Sequence, residues 1–232
     1  MGTLKRLVEN QEQKVTVSLV DSLAEHDVLE NLIEESKPSG SVHPRLAQLD
    51  YLLTTPWRYP PLKWGSRFGR RFEPSLFYGA LSDAALFAEA AYYRLLFLEG
   101  MEKPFRDRVI SQFTVFEANY QTEKGMDLTR SPFEKHVGVL RHKARYEPCQ
   151  VLGSELRERG IEAITYLSAR AKMNETNIAL FTPLALRSRK HRRPRHGLCE
   201  STTNGVSFRY LDAVHEFPRG DFLYRGRFPL PA

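Results

Sequence analysis

The 232-residue sequence has only two cysteines, Cys149 and Cys199, fifty residues apart, and they offer no metal-ligand spacing. Its seven histidines form no i, i+4 pair. A metal site is therefore not expected. The N-terminal stretch MGTLKRLVENQEQK lacks the apolar centre of a secretion signal, and no segment approaches the ~18 uninterrupted apolar residues of a membrane span. Position 6 is arginine, where N-myristoylation requires serine or threonine. No internal repeat is visible. These absences make a chain in a reducing cytoplasm, without a membrane anchor, the expectation.

What is present argues for a folded protein: 41% of residues are hydrophobic and 11% aromatic, too many for a wholly disordered chain. The net charge of +6, from 34 basic and 28 acidic residues, is unevenly placed. Six of the basic residues fall in RSRKHRRPRH, Arg187 to His196. Such a run suits a solvated loop, or contact with nucleic acid or an acidic partner through counterion release.

Residues 17–36 carry Val20, Leu23, Val28, Leu29, Leu32 and Ile33 at helical spacing, and the stretch KPSGS then breaks the pattern. This predicts an N-terminal helical extension and linker over residues 1–50, with a second short helix from about His43 to Leu53. From there to residue 232 a main domain is expected, its core about residues 53–213 and its basic loop 187–196. The segments SLFYGAL, QFTVFEANY, AITYLSA, NIALFTP and VSFRYLDAV read as strands. Helices are expected at Ser82 to Leu98 and about Pro148 to Arg159. Strands without regular βαβ alternation predict an α+β fold with a mainly antiparallel sheet.

The helix SDAALFAEAAYYRLLFL poses a problem of solvation. Ser82 suits its N-cap and Asp83 its first turn, but after them only Glu89 and Arg94 carry charge. Glu89 shares a face with Ala85, Tyr92 and Leu96, so its carboxylate faces protein. Removing a carboxylate from water costs several kcal/mol unless it is paired or hydrogen-bonded. Either a structural ion pair or a chemical use would justify it, and the residues of this helix leave both open.

Upstream, Gly65 and Gly69 bracket Arg67 in a turn where a guanidinium could reach a phosphate. Arg58 in PWRYPP is read as held by a stiff, extended, proline-rich segment. The ordered succession of Arg58 in WRYPP, Arg67 in GSRF, Tyr78 in FYGAL, Glu89 in ALFAEAAYYR, Ser168 in YLSAR and the strand from Asn177 resembles the RES domain. FTVFEANY, MDLT and QVLGSELRERGIEAITYLSAR follow it in the same order, so the resemblance spans about Leu53 to Pro183, and loosely to Ala213.

That resemblance implies an ADP-ribosyltransferase-like split sheet and the toxin of a bacterial toxin–antitoxin pair, partnered by a Xre-like helix-turn-helix antitoxin. It implies cleavage of the nicotinamide–ribose bond of NAD+ by phosphorolysis, with inorganic phosphate as co-substrate and no cofactor. Hydrolysis of NAD+ and ADP-ribosylation of a protein are the alternatives. Glu89 would then stabilise the oxocarbenium-like sugar. Arg58 and Arg67 would clamp the pyrophosphate or incoming phosphate. Tyr78 would stack on the nicotinamide or ribose, and Ser168 would hydrogen-bond Glu89 or the ribose. No histidine stands at a motif position to serve Ser168 as a base, which argues against a serine triad. Nucleic acid would be reached only through the antitoxin, and the toxin–antitoxin complex leaves room for a homo-oligomer. A non-enzymatic binding protein using the basic run is the competing class. The chain departs from the family pattern at Leu167, where proline is usual, and at Leu198, where an aromatic is usual.

Overall fold

The computed structural model describes residues 1–9, 43–59, 61–102 and 108–231, with isolated positions 22, 24, 25, 28, 29 and 32 between the first two segments. The amphipathic pattern over 17–36 falls largely outside them, and the linker at 37–41 entirely so. Nine described strands form one sheet: β1 (Gly2–Glu9), β2 (Phe77–Ala80), β3 (Val109–Tyr120), β4 (Gly125–Asp127), β5 (Ala163–Leu167), β6 (Thr176–Leu180), β7 (Arg192–Thr202), β8 (Gly205–Tyr210) and β9 (Ala213–Pro218). Their order is β4-β5-β6-β2-β1-β3-β7-β8-β9. Only β4 and β5 run parallel. Four described α-helices flank the sheet: α1 (Tyr51–Arg58), α2 (Asp83–Glu99), α3 (Val137–Leu140) and α4 (Glu147–Glu158). The fold is α+β, as the strand-rich pattern predicts. Among the described residues no helix is long and apolar enough to cross a membrane.

Each helix covers its own part of the sheet. Phe87 and Tyr92 of α2 pack with Phe113 of β3 and Phe208 of β8. Leu53 and Trp57 of α1 pack with Leu4 of β1, Phe77 of β2 and Ile178 of β6. Cys149 and Leu156 of α4 close on Phe68 of the loop before β2, and on Ile164 and Tyr166 of β5. Each fully buried aromatic or aliphatic side chain contributes roughly 1.5–3 kcal/mol. Ser82 caps α2, its Oγ accepting from the Ala85 N–H at 3.1 Å.

The structure corrects the sequence reading in four places. Residues 2–9, assigned to a helical extension, are a strand inside the sheet, because Leu4 and Leu7 find separate apolar clusters on its opposite faces. Residues 43–50 carry only a 3-10 turn, Leu46–Gln48, and the helix begins later and runs through Pro56 to Arg58. Arg58 is thus helical, not extended. Proline removes one bond from that short helix, while Trp57 fixes it from below, its ring centroid 5.2 Å from that of Phe77. The basic run is only half loop, since Arg192 onward is β7, paired with β3 and β8. VSFRYLDAV is a hairpin of two strands turning at Leu211, which has φ 52°.

β1 decides where the site lies. It pairs with β3 at eight successive positions, Gly2↔Tyr120 to Glu9↔Phe113, but with β2 at only one, Lys5↔Ala80. Past that point β1 and β2 part, and the sheet is split along the line between them.

Candidate active site

A cavity of about 950 Å³ opens along this split, lined by residues of β1 and β2 on its two sides and by Glu89 and Asn177 within. Glu89 enters from the second turn of α2. It has no ion pair among the described residues. Its Oε1 accepts from Ser168 Oγ at 2.6 Å and from Asn177 Nδ2 at 2.9 Å. Oε2 takes no hydrogen bond within the described chain, so one carboxylate oxygen is held and the other is left to the cavity. The structural-ion-pair reading of Glu89 therefore gives way: neutral donors hold the carboxyl group in place.

Ser168 does not line the cavity. It is fully buried behind Glu89, where its Oγ accepts from the Arg170 and Ala171 N–H groups, each at 3.1 Å. Those two bonds aim its single proton at Glu89. The turn that carries it, beyond β5, is fastened by Arg141, which donates to the carbonyls of Ser168, Ala171 and Met173 and to Asn174 Oδ1.

Arg67 lines the cavity and is 7% exposed. Its Nη1 donates to the carbonyls of Leu140 and His142, and its guanidinium lies 4.6 Å from the Tyr146 ring centroid. Burial opposes its charge, but the group stays above its ordinary range because Tyr146 and the Glu89 carboxylate face it. The turn beneath Arg67 is built by close approach. Gly65 has φ +73°, and a Cβ there would lie 2.4 Å from the Gly69 carbonyl oxygen. A Cβ on Gly153 of α4 would lie 2.0 Å from the Phe68 carbonyl oxygen. Gln150 Nε2 donates to the Trp64 and Ser66 carbonyls, tying the same turn to α4.

Tyr78 reaches the cavity from β2, and its hydroxyl accepts from the Phe68 N–H at 3.0 Å and pairs with Ser66 Oγ at 2.9 Å. It presents its ring to the cavity while its oxygen fastens the Arg67 turn. Burial pushes its phenol up to about 12, so it stays neutral. Arg58, in the last turn of α1, is half-buried and is not among the cavity-lining residues, although Thr55, Pro56 and Tyr59 beside it are. Arg67, Tyr78, Glu89 and Ser168 are thus brought together, and Arg58 stands outside that group.

Three residues join the site that the motif reading did not assign to it. Asn177, the second residue of β6, shares Oε1 of Glu89 with Ser168. Tyr146 lies under Arg67. Arg6 of β1 lines the cavity, with its guanidinium 4.5 Å from the Phe77 ring centroid and its Nη1 buried without a hydrogen bond among the described residues. Burial lowers its pKa to about 10. A cation in that position is a ready anion site. Its signal in the sequence is Leu4-x-Arg6-x-Val8, a charge at an apolar register position of a strand.

The arrangement joins a fixed carboxylate with one free oxygen to two guanidiniums and a neutral phenol ring in a single cleft. It can stabilise a cationic carbon beside a bound anion. No curated protein matches this chain. A family model does: residues 43–199, more than half of the chain, match the RES domain.

Proposed function

We propose that this chain, which belongs to the RES domain family, cleaves the nicotinamide–ribose bond of NAD+ and passes the ADP-ribosyl group to inorganic phosphate. The observation that carries the reading is Glu89: a carboxylate fixed through Oε1 by two neutral donors, with Oε2 turned to a cavity large enough for a dinucleotide. As the bond from ribose C1' to the nicotinamide nitrogen stretches, positive charge gathers on the sugar, and Glu89 offers compensating charge at no cost of reorganisation. The bonding pair leaves with the nicotinamide nitrogen, turning the pyridinium into neutral nicotinamide. A phosphate oxygen bonds to C1', and the proton of hydrogen phosphate passes to water. Arg67 and Arg6 supply positive charge for the substrate pyrophosphate, and Tyr78 supplies an aromatic face for the nicotinamide or ribose.

Within the same reading the chain is a toxin, held in check by a Xre-like helix-turn-helix antitoxin. The test is product analysis of NAD+ incubated with the protein, with and without phosphate. ADP-ribose 1''-phosphate formed only when phosphate is present supports phosphorolysis. Free ADP-ribose in both cases points to hydrolysis, and label on a protein of an added cell extract to transfer. NAD+ left intact throughout refutes the proposal.

A further inference from the structure

Arg170 is a costly residue with no place in the chemistry described so far. It is 5% exposed, and its Nε and Nη1 are buried without hydrogen-bond partners among the described residues. Its guanidinium carbon lies 3.3 Å from the centroid of the Tyr92 ring. Among the described residues its one side-chain hydrogen bond runs from Nη2 to the hydroxyl oxygen of Tyr146, at 2.9 Å. A buried cation with a single neutral acceptor is expensive, and its whole directed output falls on that phenol.

Tyr146 stands just before α4, 2% exposed to bulk water, yet among the residues lining the cavity. A phenol oxygen both accepts and donates. Arg170 occupies the accepting side, and no acceptor within the described chain takes the phenolic proton. Arg67 lies over the ring of the same tyrosine. The hydroxyl is therefore fixed from behind by one guanidinium, beside a second that lines the cavity, with a proton left to donate. A donor polarised in this way favours an anionic oxygen as its acceptor.

We propose that Tyr146 is a substrate-contacting hydrogen-bond donor to a phosphate oxygen held beside Arg67, and that Arg170 is the positioning residue that aims it. The assignment of that oxygen to a dinucleotide rests on the function proposed above; the assignment of the donor does not. Both residues depend on one piece of backbone, since the N–H of Arg170 also orients Ser168 toward Glu89. One turn thus sets the carboxylate through its hydroxyl and the phenol through its guanidinium.

The test is the affinity of the full chain for inorganic pyrophosphate, measured by calorimetry, beside NAD+ turnover. Tyr146→Phe, which removes one oxygen, is expected to weaken pyrophosphate binding about tenfold to a hundredfold. Arg170→Met is expected to weaken it comparably, and the double variant no further, because Arg170 acts through the hydroxyl. Unchanged affinity in Tyr146→Phe, or effects of the two substitutions that multiply, overturns the assignment. If Tyr146→Phe does not fold, Arg170→Gln, which retains a donor, is compared with Arg170→Met. Tighter binding by the glutamine variant supports positioning, and equal binding overturns it. Wild-type protein that binds pyrophosphate but consumes no NAD+ refutes the proposed function and leaves this comparison intact. Wild-type protein that binds no pyrophosphate refutes the Tyr146 assignment itself.

Discussion

Ser168 and Glu89, seventy-nine positions apart, meet through a 2.6 Å hydrogen bond in which the buried hydroxyl donates and the carboxylate accepts. Because two backbone N–H groups occupy the serine oxygen, the proton has one direction to point. Glu89→Gln keeps the volume of the side chain and removes its charge. NAD+ cleavage is expected to fall by at least ~10²–10³-fold, with the far-ultraviolet circular dichroism spectrum unchanged. Turnover at the wild-type rate would remove Glu89 from the chemistry.

Ser168→Ala leaves Glu89 with Asn177 alone and strands two buried N–H groups. The expected result is a drop in kcat with little change in KM, accompanied by a stability loss of about 1–3 kcal/mol in urea denaturation. If KM alone rises, the serine binds substrate and does not orient the carboxylate.

Arg6 gives an opposite pair of effects. Burial holds its folded-state pKa below the ordinary arginine value, at about 10, so below that pH the fold bears the cost of a buried charge, recovered only in strong alkali. Arg6→Met should therefore raise the melting temperature, by the equivalent of roughly 1–4 kcal/mol. The same substitution should raise KM for NAD+. A variant less stable than the wild type would mean that Arg6 holds the fold together.

Gly153→Ala tests how the Arg67 turn is supported. Its new methyl group would have to displace the backbone of Phe68, one residue from Arg67. A stability loss of about 1–3 kcal/mol is expected, together with a higher KM. Wild-type melting and kinetics would show that α4 and the turn do not bear on each other.

Acid should loosen the same region. The His142 pKa is lowered by burial and by the nearby charges of Arg145, Arg67 and Arg225. Its Nδ1 accepts from the N–H groups of Ala144 and Arg145, which requires the neutral ring. Because the folded-state value lies below the unfolded one, the stabilisation is present above about pH 6.5 and is lost as the pH falls through the folded value. The His142 carbonyl anchors Arg67, so KM should rise on the acid side, and His142→Asn should flatten that limb of the profile. A profile unaltered in the variant would exclude this histidine.

Much of the site was legible in the order of its motifs. Glu89 stood out as a charge on an apolar helix, and Ser82 and Asp83 fixed where that helix begins. The strands of the centre were legible because Phe, Val and Ile crowd them. Arg6, Asn177 and Tyr146 were not, for distinct physical reasons. Arg6 sits in eight residues whose alternation includes three charges, Lys5, Arg6 and Glu9, and only the pairing with β3 makes a strand of them. Asn177 stands second in its strand, where a polar residue looks like turn chemistry. Tyr146 precedes a helix in a charged stretch, and its burial comes from Arg67 and Arg170, neither close to it in sequence. The displacement of Arg58 from the cavity is equally a matter of backbone: a proline tolerated inside a short helix turns an expected extended segment through a full turn.

The split beside β1 also sets the order of events in the life of the chain. β1 is synthesised well ahead of its partner β3, which is more than a hundred residues behind it; Thr3 and Asn119, which bond across the pair, are 116 positions apart. Such a contact closes late, after a long loop has been drawn in. Until then Arg6 has no wall opposite it and the cleft has only one side. The pocket thus comes into being only when β1 is captured by a strand made much later, and Glu89 gains Ser168 and Asn177 later still.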